Sequence, residues 1–98
     1  MSSSAEPKPP QRREVHYSGA VQGVGFRYTV RSLARRYRVA GYVQNLPDGR
    51  VRLVVEGEPD EIGRLLEAVG ERMGNFIRHV EQTITPARGD LKDFEIRF

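Results

Sequence analysis

The sequence predicts an α+β domain in which two amphipathic helices cover one face of an antiparallel sheet. Three observations carry this reading. The chain has 98 residues, room for one domain and no second. Two segments place apolar residues at helical spacing: Phe26, Val30, Leu33, Ala34 and Tyr37 in the first, and Ile62, Leu65, Leu66, Val69 and Met73 in the second. Segments of strand character flank both, in the order β-α-β-β-α-β with a short terminal strand.

Residues 1–13, MSSSAEPKPPQRR, are rich in Ser, Pro and basic residues. Such a composition buries no apolar area, so a disordered basic tail is expected there, with the domain spanning residues 14–98. Val15 and Tyr17 suit a first strand ending around Ala20. A Gly-rich turn from Val21 to Phe26 leads into a first helix expected over residues 27–38. Gly41 to Leu46 reads as a strand, and Pro47-Asp48-Gly49 as a turn, because proline presets its backbone angle and glycine permits a positive one. Val51, Leu53 and Val55 alternate with Arg50, Arg52 and Glu56, completing a hairpin with one buried face. Pro59 stands at the start of the second helix. Ile77 to Thr85 and Phe94 to Phe98 supply the last two strands. This is the split βαβ, ferredoxin-like pattern, and two helices on one side of the sheet would bury both apolar stripes.

Composition narrows the chemistry. There are no cysteines, which removes disulfides, zinc–thiolate sites and thiol nucleophiles. Neither a signal-peptide core nor an apolar run near the roughly 20 residues of a membrane span is visible. A soluble, cytoplasmic protein is expected, with a monomer as the default at this size. The net charge is +3, of which the first 13 residues hold +2, leaving +1 on the rest. That spread does not suit a nucleic-acid binder, which concentrates charge on one face. The run Arg27, Arg31, Arg35, Arg36, Arg38 is either the solvated side of a helix or a basic binding surface.

The informative segment is Gly19-Ala20-Val21-Gln22-Gly23-Val24-Gly25-Phe26-Arg27, between a strand and a helix. Glycines let consecutive N–H groups curl around an anion, and the helix N-terminus adds unpaired N–H groups and a favourable dipole. The Arg27 guanidinium can grip two phosphate oxygens at once. A tight turn with Arg27 in solvent would use the same residues. Neither a Walker loop nor a dinucleotide fingerprint is present, because the required lysine and glycine offsets are missing. Asn45, in Gly41-Tyr42-Val43-Gln44-Asn45-Leu46-Pro47-Asp48-Gly49, is either a turn-former or an amide placed to orient water. Asp48, inside the turn, reads as structural.

Taken together, Val21-Gln22-Gly23-Val24-Gly25-Phe26-Arg27 and, eighteen residues after Arg27, Asn45 within its own long motif resemble the acylphosphatase family. The likeness extends through Val51–Gly57 to Phe94-Glu95-Ile96 and covers residues 14–98. The resemblance implies an enzyme that hydrolyses the carboxyl–phosphate anhydride of small acyl phosphates. Arg27 and Asn45 would be catalytic. The phosphoryl group, or inorganic phosphate, would be held by Gln22, Gly23, Val24, Gly25, Phe26 and Arg27, through the loop's backbone N–H groups and the arginine side chain. Asn45 would hold the attacking water in line with phosphorus, with no metal, cofactor or covalent phosphoenzyme.

Two departures from the family pattern stand out. Members often carry glycine after the first helix where this chain has Arg38, at a cost of about 1 kcal/mol if that backbone is left-handed. Gly74-Asn75-Phe76-Ile77-Arg78-His79 also follows the family less closely. His16 and His79 have no paired acid at a recognisable spacing and read as structural or surface residues. Glu56, Glu58, Asp60 and Glu61 bracket the second helix start, where they suit its dipole.

Two rival readings keep the fold. An RNA-recognition module shares the element order, and Gly23-Val24-Gly25-Phe26 superficially resembles its aromatic consensus. That consensus belongs on a middle strand, however, and the further stacking aromatics are missing. The other rival is a non-catalytic phosphate-sensing or partner-binding domain, since acylphosphatase-like domains also occur inside larger proteins that mature hydrogenases.

Overall fold

The computed structural model describes residues 8–98. Its elements are β1 (Gln11–Gly19), α1 (Phe26–Ala34), β2 (Val39–Asn45), β3 (Val51–Gly57), α2 (Pro59–Met73), a 3₁₀ turn (Gly74–Phe76), β4 (Ile77–Pro86) and β5 (Phe94–Arg97). They form one five-stranded sheet in the order β4-β1-β3-β2-β5. The α+β ferredoxin-like class is as expected. One detail differs: β5 runs parallel to β2, from Gly41 opposite Phe94 to Gln44 opposite Arg97, so the sheet is mixed at that edge.

Alternation sorts the strand residues onto two faces. Val15, Tyr17, Val43, Val51, Leu53 and Val55 meet Phe26, Val30, Leu33, Ile62, Leu65 and Val69 from the helices in one buried cluster. Each such side chain contributes about 1.5–3 kcal/mol by leaving water. The opposite face carries Glu14, His16, Tyr42, Arg52, Val54 and Glu56, and it has no covering layer of helices among the described residues.

Several boundaries move for physical reasons. The tail does not extend to Arg13, because Gln11–Arg13 pair with both β3 and β4. The strand can take in Arg12 because its guanidinium lies 2.8 Å from the Glu56 carboxylate and 3.4 Å from Asp90. The part of the tail expectation that falls on residues 1–7 lies outside the described residues. Helix α1 stops at Ala34, not 38. Tight bonds from Arg36 N–H to Leu33 O and from Tyr37 N–H to Ala34 O turn the chain into β2, while Tyr37 packs on the core from that turn. Arg38 carries no left-handed penalty, since no described residue other than glycine has a positive φ. The poorly matching segment after α2 is the 3₁₀ turn and the start of β4.

Candidate functional site

Val21, fully buried, pins the β1–α1 loop to the core. On either side of Val24 the chain turns through Gly23 at φ 81° and Gly25 at φ 77°. Both angles lie in the left-handed region, where a side chain costs roughly 1–2 kcal/mol. Gly25 is the N-cap of α1, and with no side chain it leaves the first-turn N–H groups without a side-chain cap. Those groups and the helix dipole attract an anion.

Arg27 follows one residue into the helix. Its guanidinium donates to the carbonyl of Arg97 at 3.4 Å, and its carbon lies 4.7 Å from the centre of the Phe98 ring. No carboxylate among the described residues pairs with it. Its charge is thus held in place from behind without being neutralised.

Between loop and hairpin lies a cavity of about 110 Å³ lined by Val21, Gly23, Gly25, Phe26, Arg27, Tyr28 and Asn45. It is smaller than the roughly 300 Å³ at which pockets for drug-sized molecules begin, so it suits one small group with any remainder outside. The Asn45 Oδ1 atom is buried without a hydrogen-bond partner. A buried acceptor left unpaired is uncommon in a native fold and marks a place where a water or ligand donor is due. Beyond Asn45, the turn is closed by Asp48, whose carboxylate accepts from the Arg50 N–H at 3.1 Å and from its guanidinium at 2.8 Å. Those bonds hold the Asp48 carboxyl below the usual range. Four larger depressions lie elsewhere: about 470 Å³ beside Pro10, Pro59 and Pro86, about 420 Å³ between α2 and β4, about 300 Å³ between the end of α1 and α2, and about 290 Å³ between the end of α1 and Lys92–Phe94. The first two are mainly apolar, and each of the other two sets its basic side chains beside an acid, Glu71 in one and Asp93 in the other.

The structure therefore brings Gly23, Gly25, Phe26, Arg27 and Asn45 around one space. Val24 is exposed and outside that lining, and so is Gln22, whose side-chain amide instead donates to the carbonyls of Leu46 and Arg50. The sequence reading missed Tyr28 and Val21 as lining residues, although Val21 opens the motif and Tyr28 follows it directly. His16 lies 3.5 Å from Glu14, and His79 lies 3.5 Å from Glu81. Each histidine thus does have an acid two residues along its strand, on the same face, but neither pair reaches the cavity. Glu56 also departs from the helix-start reading. It is buried, and it accepts from Arg12 and from the backbone N–H groups of Arg88 and Gly89.

Fold and loop together define a small α+β domain with a Gly-rich loop and an unneutralised arginine between its first strand and first helix. The family model for acylphosphatase matches residues 13–96. An acylphosphatase from Nocardia farcinica is 43% identical over 90 residues, which is 90% of this chain and 89% of that protein. The crystal structure of acylphosphatase from Bacillus subtilis matches with a TM-score of 0.80 and 30% identity, over 90% of this chain and 99% of that one. Full-length HypF, solved with phosphate and nucleotide bound, matches with a TM-score of 0.76 and 30% identity, over 95% of this chain and 12% of its own. The chain belongs to the acylphosphatase family, and it is an enzyme by that membership.

Proposed function

We propose that the chain hydrolyses small acyl phosphates by metal-free, in-line attack of water on phosphorus. The phosphoryl oxygens sit against Arg27 and the N–H groups of the Gln22–Phe26 loop. Water held by the Asn45 amide attacks from the opposite side of the leaving group. A P–O bond forms to the water oxygen, the P–O bond to the acyl group breaks, and the water proton passes to the phosphate product. The observation that carries this reading is the single small cavity lined by both Arg27 and Asn45, together with the unpaired amide oxygen of Asn45.

The chemistry asks little more of the protein. The leaving carboxylate has a conjugate acid of pKa about 4 and departs without a general acid. Phosphoryl transfer depends chiefly on positioning and charge stabilisation. No carboxylate, histidine or lysine lines the cavity, and its one acidic proton donor, the Tyr28 phenol, is ordinarily weak, so the site is poorly equipped to protonate the alkoxide leaving group of a phosphomonoester. Selectivity for acyl phosphates follows.

The test is hydrolysis of benzoyl phosphate in the presence of chelator by wild type, Arg27→Ala and Asn45→Ala. Activity in wild type and near-loss in both folded variants is the expected result. A folded wild type that binds phosphate without turnover would point to the sensing or partner-binding role, the reading favoured by the likeness to one small part of HypF.

This reading carries a monomeric cytoplasmic enzyme without a nucleic-acid partner. In its support, Tyr42 on the open sheet face is buried beneath the Arg97 guanidinium, 3.7 Å from its ring centre, with Arg52 at 5.8 Å. That ring is not free to stack on a base. No described helix is long and apolar enough to cross a membrane.

A further inference from the structure

We infer that Gln22 is a positioning residue that fixes the distance between the phosphate cradle and the Asn45 amide. Its Nε2 group donates to Leu46 O at 2.8 Å and to Arg50 O at 3.0 Å. These two carbonyls are already tied into the hairpin turn: Leu46 O accepts from the Gly49 N–H at 3.1 Å, and Arg50 O from the Leu46 N–H at 2.8 Å. Each carbonyl has two lone pairs and the amide nitrogen has two hydrogens, so one side chain takes up the remaining acceptor capacity of both.

The placement of these bonds gives them meaning. Asn45 and Val51 are the last pair of the β2–β3 ladder, and Leu46 and Arg50 are the next residue on either side. Gln22 precedes Gly23 and the turn that delivers Arg27. It bridges the two halves of the cavity without lining it. Gln22 is exposed, so water can replace its hydrogen bonds when they are lost, and the fold does not depend on them. What water cannot replace is the fixed span from one side of the cavity to the other. In-line attack is sensitive to that span, since a displacement near 1 Å in the reacting geometry costs on the order of 100-fold in rate.

This inference rests on the water-holding role proposed for Asn45, and its test separates the two. Gln22→Met keeps the side-chain length and removes both donors; Gln22→Ala repeats the test without the apolar tip. For each, kcat on benzoyl phosphate, the inhibition constant for inorganic phosphate and the side-chain amide signal of Asn45 in ¹⁵N-labelled protein are measured. The expected result is a kcat lowered about 10-fold to 100-fold, an inhibition constant within about 2-fold of wild type, and a shifted or broadened Asn45 amide signal. An unchanged kcat with a rigid Asn45 signal overturns the inference, as does an inhibition constant that rises as far as kcat falls, which would place Gln22 on the cradle side alone. If instead Asn45→Ala keeps the wild-type kcat, the water-holding reading fails, and the Asn45 signal still reports whether the tether holds that side chain.

Discussion

The neighbours of Arg27 hold it without cancelling its charge, which suits the anion-binding role proposed for it. The Arg97 carbonyl and the Phe98 ring limit its motion, and no described carboxylate competes for it. Arg27→Lys keeps the charge but loses the planar fork, so kcat/KM for benzoyl phosphate should fall about 100-fold or more with the circular dichroism spectrum unchanged. Inorganic phosphate should raise the thermal midpoint of wild type, because it binds only the folded form, and have little effect on Arg27→Ala; differential scanning fluorimetry reads both. Gly25→Ala meets no atom within 4 Å, so its cost is the backbone angle alone. A loss of about 1 kcal/mol in urea unfolding, with a larger proportional loss of activity, is expected. At this scale Arg27, Asn45 and the loop glycines were legible, since motif spacing brought them together. The Gln22 side chain was not, because its partners are backbone carbonyls 24 and 28 positions away, and a backbone acceptor leaves no mark on residue type.

At the level of elements, one buried carboxylate is a principal anchor of the β4–β5 connection. Glu56 on β3 receives Arg12 from β1 and the Arg88 and Gly89 N–H groups from the connection. Glu56→Gln removes the nearer countercharge of a buried guanidinium, leaving only Asp90, and weakens two amide bonds. It should destabilise the fold by about 3 kcal/mol in urea denaturation. The alternation of β3 showed which way Glu56 points, yet its charge and its nearness to the α2 start favoured a capping reading. What overturned that reading was Arg12, assigned from composition to a tail. The segment is basic and proline-rich, but a single long-range ion pair outweighs local composition. The α1 boundary was misplaced for a related reason: Tyr37 keeps the helical period while packing from a turn, and periodicity does not tell the two apart.

For the molecule as a whole, acid sensitivity follows from the same carboxylate. Burial raises the Glu56 pKa, but its bonds to the Arg88 N–H, Arg12 and the Gly89 N–H more than offset this and leave it below the ordinary 4.5. A depressed folded value means that the stabilisation is complete above the ordinary value and is lost as pH falls through the folded one. Urea midpoints should therefore hold from neutrality to about pH 4.5 and drop below it, with a shallower drop in Glu56→Gln. Strand order at the β5 edge was not legible, because nothing in Phe94–Arg97 marks which edge it joins or in which direction. That edge also has a temporal consequence. The Arg27 guanidinium meets its carbonyl partner across 70 positions, on the strand that follows the other four of its sheet along the chain. A nascent chain can pair β1 with β3 and still lack the backing that steadies its arginine, so the site proposed around Arg27 is completed only once β5 has joined the other four strands.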